Sequence, residues 1–385
     1  MPNTHGKDVI ITTGSSGMLG SGVIDRLHDD YQIIGFDRDG QPQPPPEAEC
    51  VLMDVTDPRS VDLALQRVRY GYGDHVAALV HMAAYYDFDG EDNPLYEQVT
   101  INGTKRLLEG IHSKPLNVEQ FVFTSTMLVH EPSAPGGEPI TEDTPLKRTW
   151  PYPNSKIDTE AVIHAYRGDT KAVHLRIAGV YDDWGGPPTL THQIKRIYEK
   201  ELQSHVYPAD LSVGQNFVHI DDVLEAIRLT IRHRHELPDE VAILIGEPET
   251  LSYDRLQDTI GCLVHGKDAW FTMKVPPRLA KVGAAAQAAA SKLPGVDEPF
   301  IKPWMVEHAA DHYALDITRA RALLGWEPKH RLEDKLETIV GHLLADPEKF
   351  YNRNKLGEPP SSMPAPSADR NPEEEKDFPK EEAAR

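Results

Sequence analysis

Between about residue 8 and residue 180 the chain alternates short apolar runs with amphipathic segments, and this alternation limits the fold more than any other feature. Asp8-Val-Ile-Ile-Thr-Thr13 reads as a buried strand ending at Gly14. A helix is expected from about Met18 to His28, with Leu19, Val23, Ile24 and Leu27 on one face. Further strands are expected over Gln32–Phe36, near Cys50–Met53, and over Val76–Val80, Phe121–Ser125 and His174–Ile177. Helical periodicity separates them at about Arg59–Arg69, Glu97–Ile111 and Tyr152–Tyr166. Strands joined through helices run parallel, which implies an α/β, Rossmann-type doubly wound sheet covered on both faces. Binding and catalytic groups in such sheets sit at the carboxyl ends of the strands, here marked by Gly14, Asp37, Asp54, Ala83 and Thr126.

Gly14-Ser15-Ser16-Gly17-Met18-Leu19-Gly20 lies between the first strand and the first helix. Its glycines permit a tight turn, close backbone approach to a pyrophosphate, and close packing of helix on sheet. The helix N-terminus then offers unpaired N–H groups to phosphate. Asp37 closes the second strand 23 residues after Gly14, where a carboxylate accepts from both hydroxyls of an adenosine ribose. A 2′-phosphate there would meet a repulsion of up to about 4 kcal/mol, which favours NAD over NADP. The neighbouring Arg38 is the residue that would instead accommodate such a phosphate. Asp54 and Val55, closing the third strand, are either adenine contacts or a plain turn.

Tyr152 and Lys156 stand four residues apart, on one face of a helix. A free phenol has a pKa of about 10, so bringing it to neutrality takes about 4 kcal/mol of phenolate stabilisation, toward which a nearby ammonium and an oxidised nicotinamide ring both work. A phenolate so placed removes a hydroxyl proton as hydride leaves carbon. Tyr351 and Lys355 repeat the spacing, but are expected at the frayed end of the last helix. Tyr152 instead follows the strand that ends in Ser125-Thr126, whose hydroxyls belong at the functional edge of the sheet.

These residues resemble the extended short-chain dehydrogenase/reductase family, the group of NAD-dependent nucleotide-sugar epimerases and dehydratases. Thr13–Gly20 has the family's TGxxGxxG form, and His81-Met82-Ala83-Ala84 resembles its HxAA element. Asn102-Gly-Thr104 matches the motif that ties adjacent strands, Phe217–Asp222 resembles FVHVDD, and Leu324–Pro328 resembles LGWxP. The resemblance implies Tyr152 as acid/base, Lys156 holding the nicotinamide ribose, and Thr126 bonding the substrate oxygen, with Ser125 as the alternative one residue out of register. It also implies cofactor contacts from Ser16, Gly17, Met18, Leu19, Met82, Ala83 and Ala84, and a homodimer face on the helices that carry Asn102 and Tyr152.

Departures from the family pattern narrow the substrate. Met127-Leu128 replaces the acidic pair that 4,6-dehydratases carry after the catalytic Thr. Gln215 replaces the Arg that clamps a nucleotide diphosphate, a loss on the order of 1.5–3 kcal/mol for such a ligand. Gly179 stands where those enzymes favour Asn. The expectation is hydride transfer between NAD(H) and a secondary alcohol or ketone. The alternatives are epimerisation of a nucleotide sugar through a transient ketone, with Lys195, Arg196 or Lys200 as unexpected diphosphate ligands, and a non-catalytic NAD-sensing module. Tyr181 and Gln215 are weaker candidates for substrate contact.

Residues 1–181 are thus read as the dinucleotide-binding domain, its sheet completed by about 216–246, and 182–355 as mainly a substrate lobe. The Pro- and Glu-rich stretch 356–385 is expected to be disordered. A net charge of −21 argues against a nucleic-acid or anionic-membrane partner, and two cysteines supply neither a disulfide framework nor a cysteine zinc site. A cytoplasmic protein is expected, since no apolar run reaches the roughly 18 residues of a membrane span. His308 and His312 fall on one helical face if that segment is helical, yet without the HExxH order no metal is expected. Trp184, Trp270 and Trp304 are expected mainly in core or lobe packing.

Overall fold

The computed structural model describes residues 6–38, 46–113, 116–290 and 299–360. Seven parallel strands form the central sheet: β1 Val9–Thr13, β2 Gln32–Asp37, β3 Glu49–Leu52, β4 Ala78–His81, β5 Gln120–Thr126, β6 Lys171–Ile177 and β7 Glu240–Ile245. Their spatial order is β7-β6-β5-β4-β1-β2-β3, so the winding reverses between β1 and β4. The carboxyl ends of β1, β2, β4 and β5 therefore open onto one crevice, the position where this topology holds ligands.

Both faces of the sheet are covered, and β1, an interior strand, is apolar on both sides. In β1, Ile10 packs in one core with Val23 and Ile24 of α1 (Met18–Leu27) and Ile227 of α6 (Ile220–Arg232). Its neighbours Val9 and Ile11 face the other core, with Leu65 of α2 (Pro58–Tyr72), Leu107 of α3 (Asn102–Ser113) and Ile163 of α4 (Pro151–Tyr166). The segment expected as one helix over Glu97–Ile111 is a π-helical turn, Tyr96–Ile101, leading into α3.

A third core lies beyond the sheet. Tyr181 packs there with Leu190 and Ile194 of α5 (Pro188–Tyr198), Ile260 of α7 (Tyr253–His265), Leu336 of α11 (Leu332–Ala345) and Phe350 of α12 (Pro347–Asn354). The Trp326 indole N–H donates to the Asp222 carbonyl at 2.8 Å, and the Asp222 carboxylate accepts from the Lys329 and His330 N–H groups at 3.0 Å. The LGWEP and FVHIDD segments are thereby locked together.

Three expectations change here. Tyr351 is fully buried in the third core and not at a frayed end, its hydroxyl donating to Glu199 at 2.6 Å, while Lys355 is exposed just past the end of α12. Leu356, placed in the disordered tail, is buried, and its carbonyl accepts from Lys195 at 3.1 Å; 361–385 lie outside the described residues. His308 and His312 share no helix face, because α9 (Pro303–Glu307) ends before them and the His312 carbonyl accepts from the Ser133 N–H at 2.9 Å. Among the described residues no helix is long and apolar enough to cross a membrane.

Candidate active site

β1 ends in Gly14, whose φ of +68° suits glycine, and a Cβ there would come within 3.1 Å of the Ala83 nitrogen. Gly17 caps α1 without a side-chain hydrogen bond, leaving first-turn N–H groups open. A Cβ on Gly20 would lie 2.2 Å from the Gly14 carbonyl oxygen, so no larger residue lets α1 start this close to the loop. The Asp37 carboxylate accepts from the Ser16 and Arg38 N–H groups, each at 2.8 Å. The buried Ser15 and Ser16 hydroxyls have no hydrogen-bond partner among the described residues. The open helix end beside a loop with no room for Cβ atoms forms a cradle that fits a dinucleotide pyrophosphate.

Thr13 ties this loop to β4. Its hydroxyl oxygen accepts from the Met82 and Ala83 N–H groups at 3.1 Å and lies 2.8 Å from His81 Nδ1. Thr104 donates to the Thr100 carbonyl at 2.6 Å and stands 2.9 Å from His81 Nε2. Since the Thr104 hydroxyl proton is committed, His81 Nε2–H donates to Thr104, and Nδ1 accepts from Thr13. Burial, aided by the Lys156 charge, pushes His81 down to about 3, so the ring is neutral as this network needs. Within its motif Thr104 ties α3 to β4 through His81, whereas the Asn102 amide reaches Glu97 at 3.4 Å.

The Asp54 carboxylate accepts from the Thr56 N–H and hydroxyl at 2.8 and 2.7 Å, stabilising its own turn. Val55 is buried beneath Gly103 of α3. Asp54 thus supports its turn through Oδ1, and Val55 packs that turn against α3.

Tyr152 and Lys156 lie in the first two turns of α4, beside the end of β5. Lys156 Nζ donates to the Thr124 carbonyl at 2.8 Å and sits 5.8 Å from the Tyr152 ring centroid. Burial brings Lys156 down to about 8, against the Glu160 charge. Burial also raises the Tyr152 phenol, reinforced by Tyr86 and Tyr96, while a hydrogen bond with Thr126 works the other way. In the protein alone, burial thus keeps this phenol protonated.

Tyr152, Lys156 and Thr126 share the wall of a cavity of about 820 Å³ with Met18, Leu19, Met82 and Ala84. Ser125 borders it, but its hydroxyl donates to Glu160 at 2.6 Å. Tyr181 does not line it: its side chain is buried in the third core and its hydroxyl donates to Glu247 at 3.0 Å, which removes it as a substrate contact. Gln215 does line it, with its amide donating to the Asp311 carbonyl at 3.3 Å. Of the three tryptophans, Trp304 lines the cavity, while Trp184 stacks on His342 and Trp270 on His205.

Several cavity residues escaped the sequence reading. Tyr86 meets Tyr152 edge-on at 4.9 Å between ring centroids, and Phe88 stacks on Phe300 at 5.8 Å. The only advance sign was the aromatic cluster Tyr85-Tyr86-Asp87-Phe88, directly after the end of β4.

The fold is shared with a solved UDP-glucose 4-epimerase of Thermus thermophilus in complex with NAD, at a TM-score of 0.62 and 21% identity over 87% of this chain and 98% of that one. In sequence the chain is similar to a UDP-glucose 4-epimerase of Lactobacillus helveticus, 23% identical over 84% of this chain and 93% of the relative. It is equally similar, at 23% over 85% and 89%, to a 3-beta-hydroxysteroid dehydrogenase of Mycolicibacterium neoaurum. The NAD dependent epimerase/dehydratase family model matches residues 10–246, and the chain belongs to that family.

Proposed function

We propose that the chain is an NAD-dependent oxidoreductase that transfers hydride between NAD(H) and a secondary alcohol or ketone. The observation that carries this reading is the common cavity wall formed by Tyr152, Thr126 and Lys156, continuous with the residues at the start of α1. When bound, oxidised NAD supplies the hydride acceptor and a positive ring charge that favours the phenolate. Tyr152 Oη takes the proton of the substrate hydroxyl, and returns one in reduction. The Thr126 hydroxyl holds the substrate oxygen beside it. Lys156, fixed through one N–H by Thr124, has two further N–H directions for the nicotinamide ribose. Asp37 faces the adenosine ribose and sets the preference for NAD over NADP.

Two further features favour a non-nucleotide substrate. Gln215, which has no charge to clamp a diphosphate, is already engaged with a backbone carbonyl. The cavity beside Tyr152 is walled by Tyr86, Phe88, Trp150, Phe300 and Trp304, suited to a bulky apolar body. The lobe formed mainly by 182–355 supplies the substrate half of the cavity, and the homodimer is assigned to the α3–α4 face.

The second reading is epimerisation of a nucleotide sugar, favoured by the similarity to UDP-glucose 4-epimerases. It shares the first step, then returns hydride to the opposite face of the ketone, so that no net NADH accumulates. The test is Tyr152→Phe, assayed against panels of secondary alcohols and UDP-sugars. NAD binding is expected to persist while turnover falls at least about a hundredfold. Retained turnover overturns the assignment. NADH accumulation separates the dehydrogenase from the epimerase.

A further inference from the structure

Of the six acidic and basic side chains that line the cavity, four pair with one another, and two cations, Lys156 and Arg196, form no ion pair among the described residues. Arg353 pairs with Asp182, and His308 with Asp311. Lys156 is committed to the Thr124 carbonyl, at the reacting end. Arg196 of α5 lines the same cavity and is only 8% exposed, yet among the described residues it forms no ion pair, and its Nη1 has no hydrogen-bond partner. Its neighbours are the phenols of Tyr207 and Tyr253, whose rings stack at 3.7 Å and the second of which is hydrogen-bonded to it, and the Glu201 carboxylate, whose charge acts on it without an ion pair. Burying a guanidinium without an ion pair is costly, and a fold keeps such a group where it serves a ligand.

A continuous series of rings joins Arg196's helix to the reacting end. Tyr86 touches Tyr152, Phe88 lies beside Tyr86 at 6.5 Å, Phe300 stacks on Phe88 at 5.8 Å, and His192 stacks on Phe300 at 3.9 Å. His192 belongs to α5, one helical turn before Arg196. An apolar wall thus leads from the proposed acid/base to a solitary buried cation. The protein's net charge of −21 repels anions in general, so an anionic substrate needs such a local cation.

We propose that Arg196 is a substrate-binding residue that recognises an oxyanion, a carboxylate or phosphate, at the end of an apolar substrate remote from the reacting carbon. This rests on the oxidoreductase reading for the identity of the reacting end. The planar guanidinium fork matches the paired oxygens of such a group, and the Tyr207 and Tyr253 rings close around it. Gln215, at the position expected to carry a clamp, plays no charged part.

The test is thermal unfolding of the NAD-saturated protein, so that the pyrophosphate cradle is already filled, in phosphate and in acetate against sodium chloride of equal ionic strength. Wild type is expected to gain at least about 2 °C more than Arg196→Met from one of the two anions, and the responding anion distinguishes phosphate from carboxylate. In chloride, Arg196→Met is expected to unfold no earlier than wild type, because it removes a buried charge that has no ion pair. Arg196→Lys keeps the charge without the fork and is expected to retain part of the anion effect. Equal anion responses in wild type and Arg196→Met overturn the proposal. So does early unfolding of both variants in chloride, which would make the guanidinium structural. Binding is read here without turnover, so failure of this site and failure of the Tyr152 assignment are told apart.

Discussion

The Ser125 hydroxyl donates to the Glu160 carboxylate at 2.6 Å, while the next hydroxyl along β5, that of Thr126, faces Tyr152. Alternation of side chains along a strand separates the two. Ser125 joins the buried network in which Arg176 grips Glu160 through Nη2 at 2.7 Å and Nε at 3.2 Å. Thr126 Oγ1 accepts from the Leu128 N–H at 3.3 Å and is the hydroxyl proposed to hold the substrate oxygen. Thr126→Val is expected to lower kcat/KM by roughly tenfold to a hundredfold, the equivalent of one lost hydrogen bond to developing charge, and Thr126→Ser to restore most of it. Ser125→Ala is expected to cost about 1 kcal/mol of stability in urea unfolding and to leave turnover within about threefold. A larger turnover loss from Ser125→Ala would reverse the assignment.

Asp37 joins the glycine loop to the end of β2 through Ser16 and keeps lone pairs for a ribose. Asp37→Ala removes both the loop anchor and the negative charge. NAD affinity should fall, and the NAD-to-NADP affinity ratio should narrow by at least about tenfold, as expected when a like-charge repulsion of a few kcal/mol is lifted. Fluorescence titration with both cofactors measures it. An unchanged ratio would mean that this carboxylate does not face the ribose.

Gly20 is the glycine of the loop whose replacement has least room. A methyl group 2.2 Å from the Gly14 oxygen and 2.7 Å from Ser15 Cα meets backbone on both sides, with no flexible side chain to yield. Gly20→Ala is expected to push α1 off the loop, costing about 1–3 kcal/mol of stability and most of the NAD affinity. Gly341→Ala, in α11 with open space around it, is the control and should be neutral or slightly stabilising. Equal effects at the two positions would remove the packing argument.

What the sequence disclosed was what is local. The glycine loop, Asp37 and the Tyr152–Lys156 pair each occupy a strand end or one helix face, so spacing along the chain is also arrangement in space. Tyr351–Lys355 has the same spacing, and only long-range packing sends its phenol to Glu199 in a core built from several separate segments. The break after Glu307 was hidden for a similar reason: the Tyr313 N–H donates to the Gly214 carbonyl at 3.0 Å, pulling an Ala-containing stretch out of helix by contacts with a distant part of the chain. Arg196 carried no motif at all. Its isolation is a property of the partners around it, which no periodicity records.

Glu247 links the end of β7 to the N-terminus of α11, accepting from the Leu332 N–H at 3.0 Å and from the Tyr181 hydroxyl. Burial pushes this carboxyl up to about 7, against those two donors. The folded state therefore binds its proton more tightly than the unfolded chain does. The stability so gained is fully present below about pH 4.5 and is lost as pH rises through about 7, up to about 3 kcal/mol in all. Glu247→Gln keeps the shape without the titration: its carbonyl accepts from Leu332, and its amide donates to the Tyr181 oxygen. Urea unfolding between pH 5 and pH 8 should show wild type losing stability relative to the variant, with the variant the more stable at pH 8 and the gap closing at pH 5. Parallel pH profiles for the two proteins would show that Glu247 is ionised in the folded state throughout this range.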